Sequence, residues 1–130
     1  MSDPVVETEA MIAGMRPEIQ PGEFAFVLWP QDTLWPEGTR ASCVEAEGLS
    51  LIVPIAFAPS GAVPMRCITL QVHSSLEGVG LTAAVSDTLA KAGIPANMVA
   101  GYHHDHVYVP TELAEQAVKL LVQLQQSAKT

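Results

Sequence analysis

The residues best suited to chemistry fall in two short segments. The first is His73-Ser74-Ser75-Leu76-Glu77-Gly78-Val79-Gly80-Leu81-Thr82. Ser74 and Glu77 have the spacing of a capping box, so a helix could begin there. Alternatively, Gly78 and Gly80 form an irregular turn and the helix starts near Gly80. In both cases free backbone N–H groups stand at a helix N-terminus beside glycines that allow close approach, a setting that suits a carboxylate, including that of an amino acid. The simpler reading is structural: Ser74 and Glu77 cap the helix and the glycines ease packing.

The second segment is His103-His104-Asp105-His106. On a strand, His104 and His106 face one way, as metal-ligand pairs can, and Asp105 could add a carboxylate. No further acid or thiol has the spacing to complete a site, and His73 is the only other histidine. Histidine and aspartate are also common turn residues, so a structural or interaction role is expected in place of metal. His73 close to this hairpin would favour metal binding or pH sensing. Catalysis finds little footing, because there is no P-loop, Cys-x-x-Cys, nucleophile motif or dinucleotide fingerprint. Ser74 or Ser75 beside His73 makes a poor nucleophile and base, since successive strand residues point to opposite faces. Trp29 and Trp35, bracketing a proline-rich loop, are assigned to packing or an interface. No catalytic residue, metal or cofactor is expected.

The elements that must position these segments are most regular after Met65. Residues 66–73 alternate polar and apolar side chains, which predicts a half-buried strand with Ile68, Leu70 and Val72 inward and Thr69, Gln71 and His73 outward. Leu81, Val85, Leu89 and Ala92 lie on one face of a following helix. Gly93 occupies its left-handed C-terminal position, with Pro95 just beyond. Residues 97–102 and 106–109 then form a hairpin with His104-Asp105 at or near its tip. The last helix opens at Pro110-Thr111, with Leu113, Ala117, Leu120, Leu121 and Leu124 on one face and Glu112 and Glu115 in its first turn, where acids favour the helix dipole. Gln123, Gln125 and Gln126 are placed on its solvent side.

The N-terminal half is less regular. Residues 5–15 can form a short helix stopped by Gly14 and Pro17, and residues 23–29 and 49–53 read as strands. Residues 30–38 are a loop, and Pro59, Gly61 and Pro64 make residues 56–64 a connection. Residues 65–125 thus read strand, helix, strand, strand, helix, a ferredoxin-like unit lacking its final strand. One of the N-terminal strands could fill the open edge. Leu51-Ile52-Val53-Pro54 echoes Val107-Tyr108-Val109-Pro110, a hint of two related halves.

Composition narrows the partners. The 130 residues carry 6 basic and 14 acidic side chains, a formal net charge of −8. Nine of the acids lie at or before Glu47, against Arg16 and Arg40. That balance repels a phosphate backbone, and no Lys/Arg cluster offsets it, so neither nucleic acid nor an anionic membrane is an expected partner. Hydrophobic residues make up 48% and charged residues only 15%, which points to surface covered by another copy of the chain. No basic, apolar leader is visible, and no apolar run is long enough to span a bilayer. Cys43 and Cys67 sit among apolar or small neighbours, which predicts two buried free thiols and a cytoplasmic protein.

The run from Val79 to Val99 resembles the first helix and second strand of ACT domains, the amino-acid-binding regulatory modules of enzymes such as aspartate kinase. Gly80 falls where the glycine of their Pro-Gly-Val element falls, and Leu89 to Ile94 match their Leu-x-x-x-Gly-Ile pattern. Residues 72–77 and 100–106 resemble a group of small stand-alone bacterial ACT-like proteins. The resemblance implies an α+β, ferredoxin-like βαββαβ architecture with two ACT-like units, a degenerate one at 1–64 and a second at 65–130. It implies a non-catalytic regulatory protein, a homodimer, with a small-molecule ligand, best a free amino acid. By position the ligand would meet Ser74, Ser75, Gly78, Val79, Gly80, Leu81 and Thr82, with Asn97 on the neighbouring strand. A bulky residue at Gly80 would then block binding in a protein that still folds. The chain departs from the family in lacking the Asp-x-Pro-Gly element, with Val79 in the proline's place. Residues 59–64 likewise replace a helix expected in the first unit.

Overall fold

A computed structural model describes residues 7–128. In chain order the elements are α1 (Thr8–Ala13), β1 (Glu18–Ile19), β2 (Phe24–Trp29), β3 (Ala41–Glu45), β4 (Gly48–Pro54), β5 (Met65–Leu70), α2 (Leu81–Lys91), β6 (Asn97–Ala100), β7 (Asp105–Pro110) and α3 (Ala114–Ser127). The predicted start of α1 at Val5 and Val6 lies outside the described residues. Two strands were not legible in the sequence: β1, only two residues long, and β3, whose exposed side chains carry no alternation that periodicity can detect.

The sheet is antiparallel, in the order β3-β4-β2-β5-β7-β6, with β1 beside β5. That order is symmetric about the junction of β2 and β5. Each half places its first strand at the centre, its third strand next, and its second strand at the outer edge. The echoed segments occupy equivalent places. Pro54 and Pro110 have nearly the same backbone angles (φ −56°, ψ 143° and φ −53°, ψ 138°), and each leads into a single 3-10 turn. After Leu113 the chain continues into α3; after Phe57 it meets Pro59, Gly61 and Pro64, which cannot continue a helix. The first half therefore stops where the second builds its last helix. Residues 30–40 likewise stand between β2 and β3 where the second half has α2, and the Trp29 indole N–H donates to the Leu34 carbonyl at 3.1 Å to hold that loop.

The edge of β5 left free by the incomplete ferredoxin-like unit is covered from the N-terminal side, as its open hydrogen-bonding groups require. Glu18 and Ile19 pair with Thr69 and Ile68, and Phe24 pairs with Met65. The edge is filled by β1 and the first residue of β2, not by a long N-terminal strand. The break between them lies at Pro21-Gly22, where Gly22 takes φ +90°.

One face of the C-terminal sheet packs under the helices. Ile68, Leu70, Val107 and Val109 meet Val85 and Leu89 of α2, Leu121 of α3, and Met11 and Met15 from the N-terminal segment. The other face is covered because the sheet curls. Ala41 on one edge strand and Val99 on the other pack on the same group of Phe24, Ile52, Cys67 and Tyr108. Phe24 and Phe26 present to the Tyr108 ring at 6.0 and 5.6 Å in edge-on geometry. Arg40 lies over Phe24, 4.7 Å from the ring centre.

Four sequence expectations are corrected, the first of them by that curl. Strand β5 is not half-buried: Cys67 and Thr69 on its second face are as enclosed as Ile68 and Leu70. It also ends at Leu70, so His73 lies in the following segment. Of the two cysteines, Cys67 is buried but Cys43 is exposed, because β3 is an edge strand with only β4 beside it. Gln125 is not on a solvated face. Its side-chain amide donates to the Ala13 carbonyl at 3.0 Å and its oxygen accepts from the Arg16 N–H at 3.1 Å, clamping the end of α1 to α3.

Candidate functional site

The segment from Val72 to Leu81 crosses from β5 to α2 and bends around a cavity of about 140 Å³. Ser74, Ser75, Gly78, Gly80, Leu81 and Thr82 line it, six of the eight residues expected at a ligand site. Val79 does not; its side chain is 77% exposed. Nor does Asn97, whose amide instead reaches the Tyr108 carbonyl (3.5 Å) and the Met65 sulfur (3.9 Å). The lining is completed by Met11, Leu76, Ala100 and Asp105.

The helix starts at the second of the two anticipated places. Helix α2 begins at Leu81 with Gly80 as its N-cap (φ +110°, ψ −22°) and no side-chain cap. Its first intrahelical bond runs from the Ala84 N–H to the Gly80 carbonyl at 2.9 Å. The Ser74–Glu77 capping box is therefore not formed. Ser75 takes over part of its work locally: its hydroxyl accepts from the Glu77 N–H at 3.0 Å, and its carbonyl accepts from the Gly78 N–H at 3.0 Å. Ser74, almost fully buried, lies 3.5 Å from the Asp105 carboxylate.

Asp105 was placed near a hairpin tip by the sequence. It is in fact the first residue of β7, paired with Ala100 on one side and Leu70 on the other. The tip is Tyr102-His103, closed by the Gly101 N–H donating to the His104 carbonyl at 2.9 Å. The start of the unit's third strand lies beside the end of its first, so the strand order alone brings Asp105 to the loop after β5. A topology-based reading of the sequence could have found it. Met11 had no such signal, because it reaches the cavity only through the packing of α1. Among the described residues, Asp105 is the one ionisable side chain lining the cavity. Burial raises its pKa above the ordinary carboxylate value, while the Ser74 hydroxyl and then His106 and His104 pull it back.

His73, His103 and His104 lie in a row, the ring centre of His103 being 6.1 Å from that of His104. His104 Nδ1 is 3.2 Å from the Val72 carbonyl, and His106 Nδ1 is 2.9 Å from the Thr69 hydroxyl. His73 does lie against the hairpin, its ring centre 5.0 Å from that of His103. Among the described residues, no group of three His, Cys, Asp or Glu side chains is placed to hold a metal ion.

The glycines answer to α1 as much as to the cavity. A Cβ on Gly80 would lie 2.6 Å from the Thr8 methyl, and one on Gly78 would lie 2.9 Å from the Met11 sulfur. The Thr8 hydroxyl donates to the Val79 carbonyl and fixes this approach. A bulky residue at Gly80 would meet Thr8 and a φ that side chains rarely adopt, so it would strain the fold as well as fill the cavity.

A ferredoxin-like unit with an uncovered helix start beside a cavity is joined to a first half that repeats its strand order without the equivalents of α2 and α3. Two ACT domain family models match, over residues 5–67 and 62–123. A crystal structure of a protein of unknown function from Vibrio cholerae, described as a possible transport protein, is 38% identical. It covers 88% of this chain and 92% of its own, with a TM-score of 0.74. This chain belongs to the ACT domain family and carries two ACT units. A second structure, a protein from Agrobacterium tumefaciens, shares the fold at 18% identity, covering 95% of this chain and 91% of its own with a TM-score of 0.65. The regulatory subunit of aspartate kinase from Thermus flavus shares it at 13% identity, covering 83% of this chain and 95% of its own with a TM-score of 0.52. None of the curated proteins matches. No helix among the described residues is long and apolar enough to cross a membrane.

Two outcomes follow from this geometry. Gly80→Val should destabilise the protein by roughly 1–3 kcal/mol from backbone strain alone, read by chemical denaturation. Thr8→Ser, which removes the colliding methyl, should recover part of the loss, and additive effects of the two changes would refute the contact. His106 has a pKa lowered first by burial, then by His104 and Arg40, with Asp105 opposing. Its folded state therefore prefers the neutral ring: the stability contributed is full above the unfolded pKa and declines as pH falls through the folded value. The melting temperature of His106→Gln should drop less between pH 7 and pH 5 than that of the parent; equal drops would show that His106 does not contribute.

Proposed function

We propose that this protein is a cytoplasmic, non-catalytic regulatory protein that binds a small free amino acid in the cavity between the β5–α2 segment and the start of β7. The observation that carries the reading is the chemistry of the lining. Among the described residues, Asp105 is its only ionisable side chain, and no Lys or Arg accompanies it. The same cavity includes Leu81 and Thr82 at an N-terminus without a side-chain cap. A zwitterion matches both: its ammonium pairs with the Asp105 carboxylate, and its carboxylate accepts from the N–H groups of the first turn of α2. The hydroxyls of Ser74, Ser75 and Thr82 supply further polar contacts. Gly78 and Gly80 shape the loop, while Val79 and Asn97 take no part.

The test is a thermal-shift screen against the free amino acids, with matched N-acetyl amino acids and 2-hydroxy acids. An amino acid at about a hundred times its dissociation constant adds roughly 2.7 kcal/mol, enough to raise the melting temperature by several degrees. Blocking or removing the amino group should abolish the shift, as should Asp105→Asn. Because the ammonium binds the ionised carboxylate, affinity should be full above the Asp105 pKa and fall as pH drops through it. No response to any amino acid would reject the reading.

A second reading, an interaction module without a small ligand, is favoured by the exposed apolar side chains of the N-terminal half, among them Leu34 (92%) and Val44 (86%). The same side chains support a homodimer. Light scattering should give twice the chain mass in the parent and a lower mass for the double variant Leu34→Ser, Val44→Ser. A parent that stays monomeric at every concentration would remove the dimer.

A further inference from the structure

Among the described residues, Met11 is the one that lines the cavity from outside residues 74–105. It lies on α1, ahead of the first strand, yet its side chain is 1% exposed and forms an inner wall. The thioether end sits hard against the loop. A Cβ on Gly78 would stand 2.9 Å from the sulfur and 3.1 Å from the terminal methyl.

The placement of that thioether is held from two sides. Towards the loop, the Thr8 hydroxyl donates to the Val79 carbonyl. Towards the core, the Gln125 side chain bonds both the Ala13 carbonyl and the Arg16 N–H, tying the end of α1 to α3. The helix itself is only six residues long, so its position derives from these tertiary contacts and not from helical propensity. Of the apolar lining, Leu76 is 70% exposed and belongs to the rim, whereas Met11 and Leu81 are enclosed. Leu81 begins the helix whose N–H groups the amino-acid reading assigns to a carboxylate. An amino acid seated by its ammonium at Asp105 and its carboxylate at α2 therefore turns its own side chain against Met11.

We propose that Met11 is the specificity-determining residue of this site, setting the largest amino-acid side chain the cavity accepts. The inference rests on the amino-acid reading of the cavity and adds its selectivity. A cavity of about 140 Å³ is close to the size that holds a ligand of about six non-hydrogen atoms, such as benzene. Alanine matches that size, whereas leucine needs the space the thioether fills. The site is then composite: polar recognition comes from the C-terminal unit, and the size limit from the helix that opens the N-terminal one.

The experiment measures calorimetric affinities of the full-length protein for glycine, L-alanine, L-serine, L-valine and L-leucine. The parent should favour the small members. Met11→Ala should change the ratio of L-leucine to L-alanine affinity by about tenfold or more towards leucine, the discrimination that one or two methylenes carry. Met11→Val, which shortens the side chain with less loss of packing, serves the same purpose where the alanine variant does not fold. A folded variant whose ratio is unchanged, while L-alanine still binds, overturns the role of Met11 and leaves the amino-acid reading intact. Absence of binding by all five amino acids to the parent and to both variants overturns the amino-acid reading and this inference together.

Discussion

The fold depends on the free edge of one central strand. Strand β5 is paired by β7 along its whole length on one side, and a ferredoxin-like unit of β5, α2, β6, β7 and α3 offers nothing for the other. A central strand enclosed on both faces cannot leave its N–H and carbonyl groups bare. Residues 18, 19 and 24 supply the partners, and this pairing joins the halves in an arrangement symmetric about the junction of β2 and β5. The same route brings α1 past the loop after β5, because residues 14–17 are all that separates α1 from β1. The Gln71 N–H, just after β5, bonds the Met15 carbonyl within this link. Edge satisfaction and the inner wall of the candidate site are two results of one chain path.

Duplication explains which parts of the N-terminal half remain regular. Strands β2, β3 and β4 are kept in the same order as β5, β6 and β7, and so is the proline that ends the third strand and starts a 3-10 turn. The helices are what the first half lacks. Strand pairing there satisfies backbone groups that would otherwise be left open, and the curl lets Phe24, Phe26 and Ile52 pack against Cys67 and Tyr108 of the other half. A helix is less constrained, because its hydrogen bonds are internal and its removal leaves only a face to cover. In the place of α2 stands the loop at 30–40, held at Trp29, which leaves Leu34 and Trp35 exposed.

Much of the second half was legible because its elements are amphipathic and sharply bounded. Val85, Leu89, Ala117 and Leu121 are buried as their spacing requires, and Gly93 takes a left-handed conformation (φ +74°) at the end of α2. Sequence patterns failed where tertiary structure decides exposure. Thr69 reads as outward on a two-layer sheet and is buried only because the sheet curls. Cys43 reads as a buried thiol from apolar neighbours, yet it lies on an edge strand that those neighbours do not cover. The loop from Ser74 to Thr82 was identifiable from its glycines and hydroxyls. Its partner Asp105 needed the strand order as well as the residues, and Met11 was not identifiable, since it arrives through the packing of a six-residue helix.

The segments that meet at this cavity carry Glu7, Glu9, Glu77 and Asp105, yet among the described residues only the Asp105 carboxylate lines it, and that bears on what it can hold. The acidic excess lies at or before Glu47, whereas the cavity admits a single carboxylate from the C-terminal unit. That carboxylate is partly desolvated, the Ser74 hydroxyl and then His106 and His104 offset this only in part, and among the described residues no Lys or Arg lines the cavity. Desolvation disfavours the ionised form unless a positive group arrives to offset it. The groove therefore gains most from a ligand that brings its own cation, and the first turn of α2 compensates a negative group on that ligand only at short range. A fully anionic ligand would face Asp105 unpaired, and a simple cation would leave the helix start unused. A molecule carrying both charges a few atoms apart answers both constraints within the available volume.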